Sequence, residues 1–301
     1  MAKQQPGNLV LEKYIPEPQS IDETELTMGF LADLVLKLVY YKSGVSSAEI
    51  GDTLALPFMG VLDKVLEFVK REELVEISGS KGLGERGYQW SITGRGSERA
   101  VQALERDHYL GPAPVPLVRY NEMVRRQALG DLKVGPTDVR QALAHLVLNG
   151  DMVNRLGPAV NSGRSLFLYG PPGNGKTVIA KSIIRMLTGC VYVPHAVIID
   201  GQIIRVFDGV NHKPAVEPPS GARKEGGTGA LRIDPRWVKI QRPEIIVGGE
   251  LTMHSLGLNY DPVAKTYEAP LQMKANNGLF VIDDFGRQAL RPQDLLNRWI
   301  V

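Results

Sequence analysis

The chain has 301 residues, 43% of them hydrophobic and 23% charged, and a net charge of +2, which leaves room for two domains of ordinary globular composition. No apolar run approaches the ~20 residues of a membrane helix, and Met1-Ala2-Lys3-Gln4-Gln5-Pro6 lacks the apolar stretch of a signal peptide. Membrane insertion and secretion are therefore not expected, and a cytoplasmic location is.

Residues 1–27 hold three prolines and no sustained periodicity, and read as a mostly extended arm. From Met28 to Tyr41, apolar residues at Phe30, Leu31, Leu34, Leu36, Leu38 and Val39 predict a helix with a broad buried face. Ser46 and Glu49 are the start signal of a second helix, an N-cap hydroxyl with a carboxylate three residues on. A third helix presents Val61, Leu62, Val65, Leu66 and Val69 to the core. Leu74–Ile77 and Tyr88–Ile92 read as strands around a glycine-rich, charged hairpin tip, and a closing helix is expected over 93–107.

This order, with the run Gly87-Tyr88-Gln89-Trp90-Ser91-Ile92-Thr93-Gly94-Arg95-Gly96, resembles the winged-helix family. It implies an α+β winged-helix-like domain over 28–108, and DNA as a partner. The residues favour protein docking instead. The candidate recognition helix, 57–71, sets Asp63 and Glu67 against Lys64, Lys70 and Arg71. The domain carries 10 Lys+Arg against 12 Asp+Glu, whereas phosphate contacts need basic side chains. Lys81, Arg86 and Arg95 on the wing keep DNA as the alternative. Residues 109–301 carry 23 Lys+Arg against 16 Asp+Glu, so the basic half is the other one.

Gly111–Pro116, with prolines at alternate positions, reads as a stiff extended linker inside a connecting segment, 109–133, that ends in a short helix over 120–129. Pro136 opens a further helix, expected to bury Leu143, Leu146 and Val147, and another spans 152–160. Ser165-Leu166-Phe167-Leu168-Tyr169 reads as a buried strand. It leads into Gly170-Pro171-Pro172-Gly173-Asn174-Gly175-Lys176-Thr177, which fits the phosphate-binding pattern G-x-x-x-x-G-K-[ST] at every fixed position. A helix follows from Val178. Glycines let backbone amides turn inward around phosphates, and the helix N-terminus adds a positive dipole end. Gly170 to Val178 are thus candidate nucleotide-binding residues, with Lys176 for the β- and γ-phosphates and Thr177 for Mg²⁺.

Val191–Val193 and Ala196–Ile199 read as strand. The single cysteine, Cys190, has no disulfide partner and is expected to pack as a small hydrophobe. The five histidines show no metal-ligand spacing with it, so no zinc site is expected. Residues 201–278 read as an insertion. Within it 211–234 is loop-like, expected to be disordered and to be cut first at Arg223 or Lys224. The stretch 211–242 is the candidate partner contact. Trp237–Ile240 and Glu244–Val247 read as a hairpin around Arg242-Pro243.

Leu279-Phe280-Val281-Ile282-Asp283-Asp284 is an apolar strand ending in two carboxylates, similar to a Walker B motif. Asp283 is the candidate Mg²⁺ ligand, and Asp284 the group that orients or deprotonates the attacking water. Adjacent strand residues point to opposite faces, so the two serve different roles unless the chain turns between them. A last helix starts near Arg291.

The phosphate loop and this strand together resemble the AAA+ ATPase superfamily, over roughly Val134 to Val301. The resemblance implies a P-loop NTPase three-layer α/β/α sheet over 134–301, with ATP and Mg²⁺ as cofactors and Lys176 and Asp284 as catalytic residues. It also implies a homo-oligomeric ring that couples ATP hydrolysis to remodelling of a macromolecular partner. The strand ends Asp-Asp where most members have Asp-Glu, a variant also found in replication initiators and helicase loaders. Of the sheet order 5-1-4-3-2, only strands one, two and three are expected here. The chain therefore reads as the N-terminal part of a longer ATPase, weakly active or inactive alone. The rival readings are a DNA-binding regulator using ATP as a switch, and a small-molecule kinase.

Overall fold

The computed structural model describes residues 11–82, 84–128, 133–215, 232–288 and 290–300. The cleavage sites expected at Arg223 and Lys224 lie outside these residues. The fold is mixed α/β, with four hydrophobic clusters among the described residues.

A short helix α1 (Ile21–Thr24) precedes α2 (Met28–Tyr41), whose first turn is closed by Thr27 Oγ1 accepting from the Phe30 N–H. Strand β1 (Val45–Ser46) feeds α3 (Ser47–Leu54), where Ser46 and Glu49 complete a capping box. The Ser46 backbone N–H, then Lys42, hold the Glu49 carboxyl down to about 2. Helix α4 (Asp63–Arg71), the hairpin β2 (Val75–Ser80) and β3 (Tyr88–Ile92), and α5 (Gly94–Arg106) follow. The strands form an antiparallel sheet in the order β1-β3-β2. Every apolar residue expected on the third helix, from Val61 to Val69, is buried. Trp90 closes this core, its Nε1–H donating to Ser47 Oγ at 2.8 Å.

The described part of the arm, from Leu11 onward, is docked against the rest of the chain. Ile15 is buried, Pro16 bridges Ile233, and the Glu17 N–H donates to the Arg232 carbonyl at 2.8 Å. Gly60, at φ +82°, sits so close to the arm that a Cβ there would meet the Gln19 carbonyl oxygen at 2.0 Å. Two isolated apolar residues, Leu11 and Ile15, anchor the arm in the second cluster; they are too few to show a period.

The linker is also pinned. Strand β4 (Val115–Pro116) pairs in parallel with Val197 and Ile198, and the Ala113 N–H donates to the Leu54 carbonyl at 2.7 Å. Pro116 is tolerated because β4 is an edge strand. Helices α6 (Leu117–Arg126), α7 (Pro136–Ala142), α8 (Gly150–Asn161) and α9 (Lys176–Ile183) come next. Leu143 is buried as expected, but Val147 is fully exposed, because α7 stops at Ala142 and the helical period does not reach it.

The remaining strands are β5 (Cys190–Pro194), β6 (Ala196–Ile199), β7 (Gln202–Arg205), β8 (Trp237–Gln241), β9 (Glu244–Val247), β10 (Asn259–Asp261) and β11 (Thr266–Glu268). After them come α10 (Leu271–Lys274), β12 (Leu279–Ile282) and α11 (Pro292–Ile300). Their pairing departs from the expectation in three places. The strand expected around His195 is two strands: β5 pairs antiparallel with β8, and β6 joins the five-stranded sheet β10-β11-β7-β6-β4. The hairpin expected around Arg242-Pro243 does not form, since β8 pairs with β5 while β9 pairs in parallel with β12. The stretch 201–278 is therefore not one excursion, for its strands enter three sheets. Ala196 and Ile203 pack into the N-terminal core, joining that unit to the five-stranded sheet.

His212 is fully buried against this β unit. Its Nδ1 accepts from the Asp208 N–H at 3.0 Å and its Nε2 lies 2.8 Å from the Lys274 carbonyl. A donor on one side and an acceptor on the other are both satisfied only by the neutral ring protonated at Nε2. Burial pushes its pKa below the usual 6.5, against the pull of the Lys274 carbonyl and the Asp208 charge. Lys274 itself is buried between Asp208 and Glu268. The unfolded chain protonates near 6.5 while the native ring resists, so stability is present above that pH and lost as pH falls. The unfolding free energy from urea titrations is expected to drop between pH 7.5 and 5.5, by up to about 1.4 kcal/mol per pH unit for one such group, with a shallower slope in His212→Gln. Equal slopes would remove His212 from the account.

Candidate phosphate-binding site

The loop from Gly170 to Gly175 is open to solvent and turns through left-handed backbone. Gly173 has φ +83° and Gly175 φ +71°, and a Cβ on either would touch nothing within 4 Å. Glycine is required there by conformation, not by crowding, and the space over the loop is free. Gly175 caps α9, its carbonyl accepting the Ile179 N–H at 2.9 Å. The unpaired amides of the first helical turn therefore face this open side. Pro171, Pro172 and Asn174 are exposed along the loop, as is Val178 in the first turn.

Lys176 and Thr177 open α9. The Lys176 ammonium folds over the loop and donates to the Gly170 and Pro171 carbonyls, both at 2.9 Å. Thr177 points to the other motif, its Oγ1 donating to Asp283 Oδ2 at 2.9 Å and lying 3.1 Å from Oδ1. Two side chains 106 positions apart in the chain thus meet at the helix start.

Asp283 follows the end of β12, and its N–H extends the ladder to the Val247 carbonyl of β9 at 2.8 Å. The strand stops before both carboxylates, and the chain turns at Asp284, which has φ +51°. The opposite-face argument for the pair therefore does not apply; the turn separates them. Gln288 braces that turn. Its Nε2 donates to the carbonyls of Asp283 and Asp284 at 2.9 and 3.1 Å, while its Oε1 accepts the Gly286 N–H at 2.7 Å. Nothing in the sequence singles Gln288 out, because its role exists only once the turn has formed. Asp284 is exposed, and its carboxylate has no side-chain partner among the described residues.

The strand expected at Ser165–Tyr169 does not form. The segment runs into the loop without strand pairing, and Phe167 and Tyr169 are 69% and 85% exposed. Their rings stack at 6.3 Å, and Phe167 meets Phe285 edge-on at 6.0 Å. An apolar run becomes a strand only when a neighbouring backbone accepts its hydrogen bonds, and among the described residues none lies alongside it. Leu168 and Leu279 still both pack against the cluster to which α9 contributes Ile179 and Ile183.

One carboxylate and one hydroxyl converge here, and among the described residues no group of three or more His, Cys, Asp or Glu could hold a metal ion. That donor set fits Mg²⁺, which is commonly held by one or two carboxylates with substrate phosphates and water supplying the rest. No known family and no curated protein matches this chain.

Proposed function

We propose that the chain is a nucleotide-binding, ATP-hydrolysing module of AAA+ type. The observation that carries this reading is the Thr177–Asp283 contact at 2.9 Å, beside a glycine loop whose open face carries the first amides of α9. Such a pairing of helix start and strand end is what phosphate and Mg²⁺ binding requires. The loop amides from Pro172 to Thr177 bind the phosphate chain. Lys176 exchanges its two carbonyl partners for the β- and γ-phosphates, a gain because carbonyls carry only partial charge. Thr177 and Asp283 hold Mg²⁺, which when bound neutralises charge developing on the phosphate oxygens. Asp284, whose carboxylate has no side-chain partner among the described residues, positions the attacking water. Remodelling of a macromolecular partner, assembly as a ring and partner contact through 211–242 rest on the family resemblance and on chain position.

Lys176→Ala removes the only side-chain cation in the loop. Titration with a fluorescent ATP analogue is expected to show at least a tenfold weaker complex, the scale of one charge-assisted contact. Wild-type affinity in this variant would sink the assignment.

A DNA-binding regulator is the second reading. The order α2, β1, α3, α4, β2, β3 supports a winged-helix-like domain over 28–108. Two of the three cations expected on its wing are already engaged, however: Arg86 lies over the Phe58 ring at 5.4 Å, and Arg95, which falls in the first turn of α5, donates from Nη1 to Glu73 at 3.0 Å. Protein docking is therefore the preferred role for that domain.

A further inference from the structure

A cleft of about 340 Å³ lies beyond the C-terminal end of α9, away from the phosphate loop. Leu187 and Pro243 give it apolar walls. Arg185, Lys213 and Arg242 bring three cations to it, against the single carboxylate of Glu244. Arg242 is half-buried, and its guanidinium is clamped by two carbonyls: Nε donates to Thr188 at 3.1 Å and Nη1 to Asn277 at 2.6 Å. The clamp fixes the guanidinium plane, yet Arg242 has no ion pair among the described residues, nor has Lys213. A cation taken partly out of water without a counter-charge is unfavourable, and burial accordingly pushes the Arg242 pKa down. The two carbonyls, of Thr188 in the chain beyond α9 and of Asn277, answer Nε and Nη1 and leave Arg242 Nη2 and the Lys213 ammonium without a partner among the described residues.

We propose that this cleft is a second anion site, which takes the phosphate group of a small phosphorylated metabolite on Arg242 and Lys213. With Nε and Nη1 on carbonyls, Nη2 of Arg242 keeps the donors left for a phosphate oxygen, and the Lys213 ammonium brings a second charged donor to the same cleft. The volume is that of a small-ligand pocket, and Leu187 and Pro243 suit the organic body of such a molecule. A nucleic-acid backbone would instead need a run of basic side chains on an open face. The site stands apart from the phosphate loop and does not depend on how that loop is read.

Cys190 supplies the local reporter. It is the single cysteine of the chain, partly exposed, opposite Gln241 in the β5–β8 ladder and next to Gly189 of the cleft wall. The experiment measures its alkylation rate by iodoacetamide in the full chain, against inorganic phosphate and against chloride at matched ionic strength. Phosphate is expected to slow the reaction and chloride not to. Lys213→Gln should move the phosphate dependence to concentrations about tenfold higher, the scale of one charge-assisted hydrogen bond. Arg242→Gln should abolish protection, and Lys176→Ala should leave it unchanged. Lys213 is exposed and bonded to nothing by its side chain among the described residues, so its variant tests the site even if Arg242→Gln misfolds. Equal protection by chloride, a wild-type phosphate curve in Lys213→Gln, or loss of protection in Lys176→Ala would each overturn the proposal.

Discussion

Asp284→Asn is expected to leave ATP and Mg²⁺ bound while slowing single-turnover hydrolysis by about 10²-fold or more, the scale of losing a general base. Asp283→Asn is expected to do the opposite, weakening the Mg²⁺-dependent part of binding and leaving the Mg²⁺-independent part intact. The structure supplies the reason for the split. Asp283 is fixed, its N–H in the β9 ladder and its carboxylate on Thr177 Oγ1 at 2.9 Å. Asp284 lies past the turn, exposed, with φ +51°. A carboxylate locked beside the helix start suits a resident cation, and one projecting past it suits a mobile water. Binding and single-turnover rates across a Mg²⁺ titration measure both. Normal hydrolysis in Asp284→Asn places the base elsewhere, and rescue of Asp284→Asn, but not Asp283→Asn, by excess Mg²⁺ exchanges the two roles. Gln288→Ala should resemble Asp284→Asn in weaker form, because it releases the turn and not the ligand.

The second large effect concerns assembly of the fold. Arg236 and Asp234 are each about 95% buried and face each other through a bidentate pair, with contacts of 3.0, 3.0 and 2.8 Å. Arg236 Nη1 also donates to the Thr24 carbonyl at 3.0 Å and reaches the Pro114 carbonyl at 3.4 Å. One guanidinium thus ties the arm, the linker and the start of β8. Arg236→Met is expected to cost about 3–5 kcal/mol, because it strands the Asp234 carboxylate in a dry site. Adding Asp234→Asn should recover part of that loss by removing the stranded charge, although the two carbonyls stay unpaired. Urea unfolding of the single and double variants checks this. A single variant as stable as the double would mean that water reaches the pair, and that its burial carries no penalty.

Features that arise within a few residues are legible in the amino-acid order. The span of α2, the Ser46–Glu49 capping box and the buried face from Val61 to Val69 follow from helical spacing and from hydrogen bonds three residues apart. The glycine loop is legible for the same reason, since positive φ at Gly173 and Gly175 is a local demand. Strand pairing, by contrast, is set by contacts between distant segments. β5, β8 and β9 are similar short apolar runs, and nothing in their spacing distinguishes a β8–β9 hairpin from β5–β8 and β9–β12 ladders. The choice depends on which distant backbone presents a matching edge and which face each run must bury. That also explains why Ser165–Tyr169, as apolar as β12, remains unpaired, and why an arm and a linker without periodicity became fixed through Ile15, Pro116 and Arg236. The meeting of Thr177 with Asp283 is of the same kind: each residue type is readable in its own motif, but their contact joins the start of α9 to the end of β12, 106 positions apart in the chain, and no spacing within either motif specifies it.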